Sequence, residues 1–138
     1  GEVCALVMID LDYFKGINDT FGHDAGDRYL QSFSKVMSAM PADHFLTARR
    51  SGDEFCMMVY GCQSREEIEG QMDAFYEKIR QNQIALSDTE TRTISASSGF
   101  AWTGDAGSDI AELLGRADEA LYVVKRDTKG VYGGYGGA

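Results

Sequence analysis

Val3 to Ile9 (V-C-A-L-V-M-I) is an unbroken apolar run with β-branched residues at Val3, Val7 and Ile9. It is too short to cross a bilayer and too continuous for a strand with one wet face. It therefore reads as a central strand covered on both sides. The run stops at Asp10-Leu11-Asp12, so the strand delivers carboxylates to the loop at its end. At 138 residues the chain is one domain, large enough to bury about two thirds of its unfolded surface without covalent staples. A domain that opens directly on a buried strand is expected to be N-terminally truncated. The cysteines Cys4, Cys56 and Cys62 are odd in number and form no C-x-x-C, which argues against a disulfide framework or structural zinc and points to a reduced, cytoplasmic setting.

Patterns further along extend the sheet. Asp10 to Asp27 reads as a polar, Gly-punctuated loop with a short helical piece. From Ala25, the residues Leu30, Phe33, Met37 and Met40 step along one helical face until Pro41. His44–Arg50 and Glu54–Tyr60 read as strands joined by a Ser51-Gly52-Asp53 turn. Ser64 with Glu67 forms a capping box ahead of a helix with Ile68, Met72, Phe75 and Ile79 on its core face. Thr91–Trp102 reads as one strand or hairpin arm. Asp109 and Glu112 open a last helix faced by Ile110, Leu113, Leu114, Ala117, Leu121 and Val124. The order strand, helix, strand, strand, helix, strand, helix predicts an α+β fold with a mixed, largely antiparallel sheet. Residues 133–138 form a Gly-rich tail, either frayed or held by tertiary contacts.

Charge narrows the partners. Thirteen Lys+Arg against 22 Asp+Glu give a net charge of −9, which argues against nucleic acid. No apolar run or signal peptide calls for membrane contact by this segment, and any anchor of a parent protein would lie outside it. An acidic chain can still hold a nucleoside triphosphate if a divalent cation supplies positive charge.

Four clusters could carry chemistry. Asp10-Leu11-Asp12 presents oxygen ligands of the kind Mg²⁺ prefers. Gly22-His23-Asp24-Ala25-Gly26-Asp27 has the flavour of a phosphate loop but lacks G-K-[ST]. Arg50-Ser51-Gly52-Asp53-Glu54-Phe55 puts two carboxylates on a tight hairpin where backbone can approach a phosphate. Lys125 and Lys129 stand four apart, on one face if the helix persists. Taken singly, each is as well explained by an ordinary turn or helix end.

Taken together, MIDLDYFKGINDTFGHDAGD, RRSGDEF, ISASSGFA and LLGRADEALYVVK resemble, in order and spacing, the GGDEF family of diguanylate cyclases, from about Val3 to Val131. The resemblance implies a nucleotidyl-cyclase palm-like fold: a ferredoxin-like βαββαβ core and a five-stranded sheet surrounded by helices, with the signature on a β-hairpin. It implies condensation of two GTP into cyclic di-(3′→5′)-GMP and two pyrophosphates by two domains face to face, with Mg²⁺ or Mn²⁺, under an upstream sensor or regulatory domain.

Position by position, it implies that Asp10, the Leu11 carbonyl and Asp53 hold metal. Asp53 would also help deprotonate the attacking 3′-hydroxyl, with Glu54 as its required acidic neighbour. Asn18 and Asp27 match the guanine readers, Phe14 and Lys15 the phosphate-binding amides, and His23 a residue near the sugar. Ser51 and Gly52 match the close-approach turn, and Lys125 and Lys129 the phosphate-binding cations. Ser51 replaces the family's first signature glycine, and Lys129 stands where an Arg fork is usual. The product-inhibition R-x-x-D would fall at Ala42-Asp43-His44-Phe45 and is absent. The family's preceding L-T-G-L-x-N-R stretch and helix do not occur in this chain, which is expected to lower its activity. The alternative is a domain that keeps the shape, loses turnover and serves as a GTP-binding regulatory module. Persistence of both Asp53 and Glu54 favours the enzyme.

Overall fold

β1 (Val3–Leu11) is the central strand of a five-stranded sheet ordered β2-β3-β1-β6-β7, in a computed structural model that describes residues 1–107 and 109–136. It pairs antiparallel with β3 (Glu54–Cys62) on one side and β6 (Ala96–Trp102) on the other. Both faces are covered, which explains the lack of alternation. Ala5, Val7, Ile9 and Leu11 enter the larger core, while Leu6 and Met8 enter a smaller one with Ala101, Leu113 and Ala117.

β2 (Phe45–Ser51) pairs antiparallel with β3, and β7 (Tyr132–Gly134) pairs parallel with β6. β1, β2, β3 and β6 with their connecting helices make the expected βαββαβ arrangement. On the larger-core face lie α1 (Phe14–Phe21), α2 (His23–Ser38) and α3 (Arg65–Arg80). Phe33 of α2 joins sheet to helix, 4.9 Å from the Phe55 ring and 6.1 Å from Phe75, both edge-on. Ser64 accepts from the Glu67 amide at 3.2 Å, and Glu67 reaches back to the Gln63 amide, so the capping box forms one residue ahead of its usual target. A short α4 (Thr103–Ala106) precedes α5 (Ile110–Asp127), which covers the opposite face. Among the described residues no helix is long and apolar enough to cross a membrane.

Several local expectations change. The segment after β1 is mostly helical: α1 and α2 form a helical hairpin on a single glycine, Gly22, at φ 93°. Met40 is buried but lies beyond α2. Thr91–Trp102 is two strands, because Ile94 and Ser95 break it. β5 (Thr91–Thr93) pairs instead with β4 (Gln83–Ala85) in a separate ribbon. The hairpin turn is Gly52-Asp53 alone, since Ser51 pairs with Glu54 across a bulge. Ile110 is 53% exposed rather than core-facing.

The tail is partly built in. Gly133 and Gly134 belong to β7, and the Tyr135 amide donates to the Phe100 carbonyl at 2.8 Å. A Cβ at Gly134 would strike the Phe100 ring and Arg65, so close approach, not looseness, explains this glycine. Residues 137 and 138 of the expected tail lie outside the described residues.

Gly99 on β6 fixes the distance to α5, because a Cβ there would fall onto the α5 backbone at Ala117–Leu121. We expect Gly99→Ala to lower stability by about 3 kcal/mol, an overpacking cost with no flexible neighbour to absorb it. Gly70→Ala, on an exposed α3 position with open space around it, should raise stability by about 0.5–1 kcal/mol. Urea unfolding midpoints at constant m-value check both signs.

Candidate functional site

The antiparallel register brings the signature to the end of β1. Asp10 lies between Glu54 on β3 and Ser97 on β6. The Leu11 amide donates to the Asp53 carbonyl at 3.0 Å, tying the hairpin tip to the strand end. Gly52, at φ 45°, supplies the left-handed position the two-residue turn requires. The Arg49 side chain donates to the Gly52 carbonyl at 3.0 Å and braces the same turn.

Asp10 was expected on an exposed loop. It is instead the penultimate residue of β1, its side chain only 16% exposed. Its even position in the strand turns it to the α5 face, where Lys125 donates to Oδ2 at 2.5 Å. The other oxygen, Oδ1, is buried without a hydrogen-bond partner. Burial and the Asp10 charge hold the Asp53 carboxyl above its ordinary range. The hydrogen bond to Asp10 pushes Lys125 upward in turn, stabilising its charged form. The site thus has two carboxylates in repulsive contact and one ammonium as their counter-ion.

An orphaned carboxylate oxygen beside a second, strained carboxylate suits a hard divalent cation. Among the described residues no three His, Cys, Asp or Glu side chains gather into a metal cluster. Mg²⁺ does not need one: it is commonly held by one or two carboxylates, with waters and phosphates completing the shell. Asp10, Asp53 and the intervening Leu11 carbonyl are the oxygens that could hold it.

Asp12, by contrast, turns inward. It is 4% exposed, and accepts from Ser97 Oγ at 2.7 Å and Ser95 Oγ at 2.6 Å. The D-x-D motif therefore splits into one outward and one inward carboxylate, and Asp12 is not available as a ligand. Sequence reasoning missed Ser95, Ser97 and Tyr29 around it. The I-S-A-S-S block was the available signal, because hydroxyls in an otherwise apolar strand need a partner.

Tyr13, the N-cap of α1, has φ 63°, and no side chain caps the helix. The leading amides of α1, at Phe14 and Lys15, are therefore left for an anion. Asn18 is half-buried on α1 and packs on Gly26, where a Cβ would fall inside its side chain. Asp27 follows Gly26 and is exposed. The helical hairpin thus brings Asn18 and Asp27 to adjoining positions. His23 is exposed at the first residue of α2. Lys125 and Lys129 do not share a helical face, because α5 ends at Asp127. Both still line one depression of about 590 Å³ along α5, and the Lys129 ammonium lies 5.1 Å from the Tyr13 ring centroid.

Comparison with known proteins identifies the family and the fold. The family model "Diguanylate cyclase, GGDEF domain" matches residues 1–130. The chain is 36% identical over 126 residues to the cyclic di-GMP phosphodiesterase NbdA of Pseudomonas aeruginosa, covering 91% of this chain and 16% of that protein. It is 34% identical over 129 residues to the diguanylate cyclase TpbB of the same species, covering 94% and 29%. The solved GGDEF domain of TpbB superimposes with a TM-score of 0.87 at 33% identity, covering 97% of this chain and 77% of that one. The chain spans between about a sixth and a third of the length of these curated relatives. A family match over nearly the whole chain, on the same five-stranded sheet and hairpin, means that the chain belongs to the GGDEF domain family.

Proposed function

We propose that this domain is a diguanylate cyclase, joining two GTP into cyclic di-(3′→5′)-GMP with release of two pyrophosphates. The observation that carries the reading is the Asp10–Asp53–Lys125 cluster: two carboxylates pressed together, one with an orphaned oxygen, beside a lysine poised to change partners. Asp10, Asp53 and the Leu11 carbonyl would hold Mg²⁺ or Mn²⁺. The cation, when bound, offsets charge on the α-phosphate and leaving pyrophosphate.

This chain's own residues do the rest. The uncapped start of α1, at Phe14 and Lys15, receives phosphate oxygens, with Ser51 and Gly52 leaving room at the hairpin. Lys125, freed from Asp10, and Lys129 neutralise the triphosphate. His23 stands on the sugar side, and Asn18 and Asp27 read guanine. Asp53 accepts the proton of the 3′-hydroxyl, with Glu54 keeping the pocket acidic. The hydroxyl oxygen then bonds to the α-phosphorus as the bond to pyrophosphate breaks. Each domain presents one GTP, so the hydroxyl of one attacks the phosphorus held by a second copy. Positioning of the two reactants supplies much of the rate.

A regulatory GTP-binding role without turnover is the second reading, supported by the similarity to a protein named as a phosphodiesterase. Incubation with GTP and Mg²⁺ followed by chromatography separates the two. A cyclic dinucleotide forming at a rate second order in dilute protein supports the cyclase. GTP binding without product supports the regulatory module.

Product is expected not to inhibit through residues 42–45. Phe45 is 5% exposed within the larger core, and Ala42 offers a carbonyl already taken by the Tyr60 hydroxyl. Neither can grip a guanine or a phosphate, and Asp43 would repel an anionic product. Calorimetric titration of cyclic di-GMP without GTP checks this. Micromolar binding that vanishes on substitution within 42–45, but not at Asp27, would overturn it.

A further inference from the structure

Asp12 is the motif carboxylate to which the proposed reaction gives no task, yet it has the most highly organised surroundings. Its two oxygens take the hydroxyl protons of Ser95 and Ser97 at 2.6 and 2.7 Å. Its amide donates to the Ser95 carbonyl at 2.9 Å, and the Ser95 amide donates to the buried Tyr29 hydroxyl at 2.8 Å. The Ser97 hydroxyl keeps a lone pair and accepts from the Gly130 amide at 3.1 Å. Gly130 follows Lys129, whose ammonium lies over Tyr13, the residue after Asp12.

We propose that Asp12 is a positioning residue for the triphosphate end of the site: through Ser95 and Ser97 it locks the end of β1, the start of α1 and the Lys129 turn together. The inference rests on the GTP reading above.

The physical argument is one of cost and direction. Burying a carboxylate is costly unless its oxygens are hydrogen-bonded, and apolar side chains would fill the space without that demand. What a carboxylate adds is short, charge-assisted bonds with little slack. Those bonds join the end of β1 to Ser95 and Ser97 of the β6 side and, through Ser97, to the Gly130 turn. The backbone at Tyr13 is left-handed, a conformation a non-glycine residue keeps only when its neighbours impose it. Asp12 anchors the residue immediately before it. The base end of the site, at Asn18 and Asp27, meets this network through the Tyr29 hydroxyl of α2, which bonds the backbone of Asp12 and Ser95 rather than the Asp12 carboxylate, so that tie stays when the carboxylate's bonds are lost.

That separation defines the test: displacement of a fluorescent GTP analogue, with Mg²⁺, by GTP and separately by guanosine. Asp12→Asn should weaken GTP by about tenfold or more, the scale of one lost charge-assisted bond. Guanosine should change by less than about twofold. Ser95→Ala should shift GTP in the same direction by less, and Ser95→Thr, which keeps the hydroxyl, should restore it. Equal weakening of GTP and guanosine would mean a merely structural role and would overturn the proposal, as would unchanged GTP affinity. If Asp12→Asn does not fold, Ser95→Ala carries the same test with the Ser97 bond intact. Failure of the unsubstituted protein to bind GTP would instead overturn the GTP reading itself.

Discussion

Asp53→Ala stops cyclic dinucleotide formation, with an expected loss on the order of 10³-fold or more, because it removes both a candidate metal oxygen and the proton acceptor. Asp10→Ala should do the same. The two differ in what they do to the empty-handed fold. Burial together with the Asp10 charge disfavours the ionised form of Asp53. Its folded pKa lies above the ordinary 3.8, so the folded state binds more protons than the unfolded one over that interval. Stability therefore falls as pH rises through the interval, and the penalty persists at neutral pH. Asp53→Asn removes it and should raise the melting temperature at pH 7 by about 2 °C, with a smaller gain near pH 4. Asp10→Ala instead leaves Lys125 without its carboxylate and should lower the melting temperature. Scans at the two pH values, alongside turnover assays, check the whole pattern. Full activity in Asp53→Ala would sink the assignment of the cluster, and a lower melting temperature in Asp53→Asn would sink the electrostatic account.

The trade-off explains why the fold was easier to read than the site. Val3–Ile9, the hairpin around Gly52 and the faces of α2 and α3 obey simple periodicity, because burial on one or both faces leaves a direct trace in residue type. The candidate catalytic positions were legible only as a set. Each cluster alone looks like a turn or helix end, and it is the β1–β3 register that makes Asp10 and Glu54 neighbours. Where sequence failed, tertiary contact overrode local signal. The polar stretch Asp10 to Asp27 reads as a loop with a short helical piece, yet α1 and the first turn of α2 form there because Ile17 and Ala25 bury against the core. Gly133 and Gly134 read as low complexity, yet Gly133 admits the Val124 side chain and Gly134 the Phe100 ring. Asp12 reads as a twin of Asp10, and no pattern in the motif says that one faces α5 while the other faces two serines.

The other large effect concerns the base. With guanine in place as proposed, the Asp27 carboxylate would accept from N1–H and the N2 amino group, and Asn18 would donate to O6 or N7. Adenine in the same place has no N2 amino group and turns an N1 lone pair toward the carboxylate, so attraction becomes repulsion. Covering Asp27 without a partner also forfeits its hydration, since the residue is exposed in the ligand-free domain. The two effects together should make ATP bind at least about 10²-fold more weakly than GTP in the presence of Mg²⁺. The discrimination depends on the Asn18 side chain resting on Gly26. Gly26→Ala puts a methyl into the Asn18 amide and should weaken GTP while barely altering the already poor affinity for ATP. Calorimetry with the two nucleotides on the unsubstituted and Gly26→Ala proteins tests both statements. Comparable affinities for ATP and GTP would remove Asn18 and Asp27 as base readers, whatever the cluster at Asp10 and Asp53 does with the phosphates.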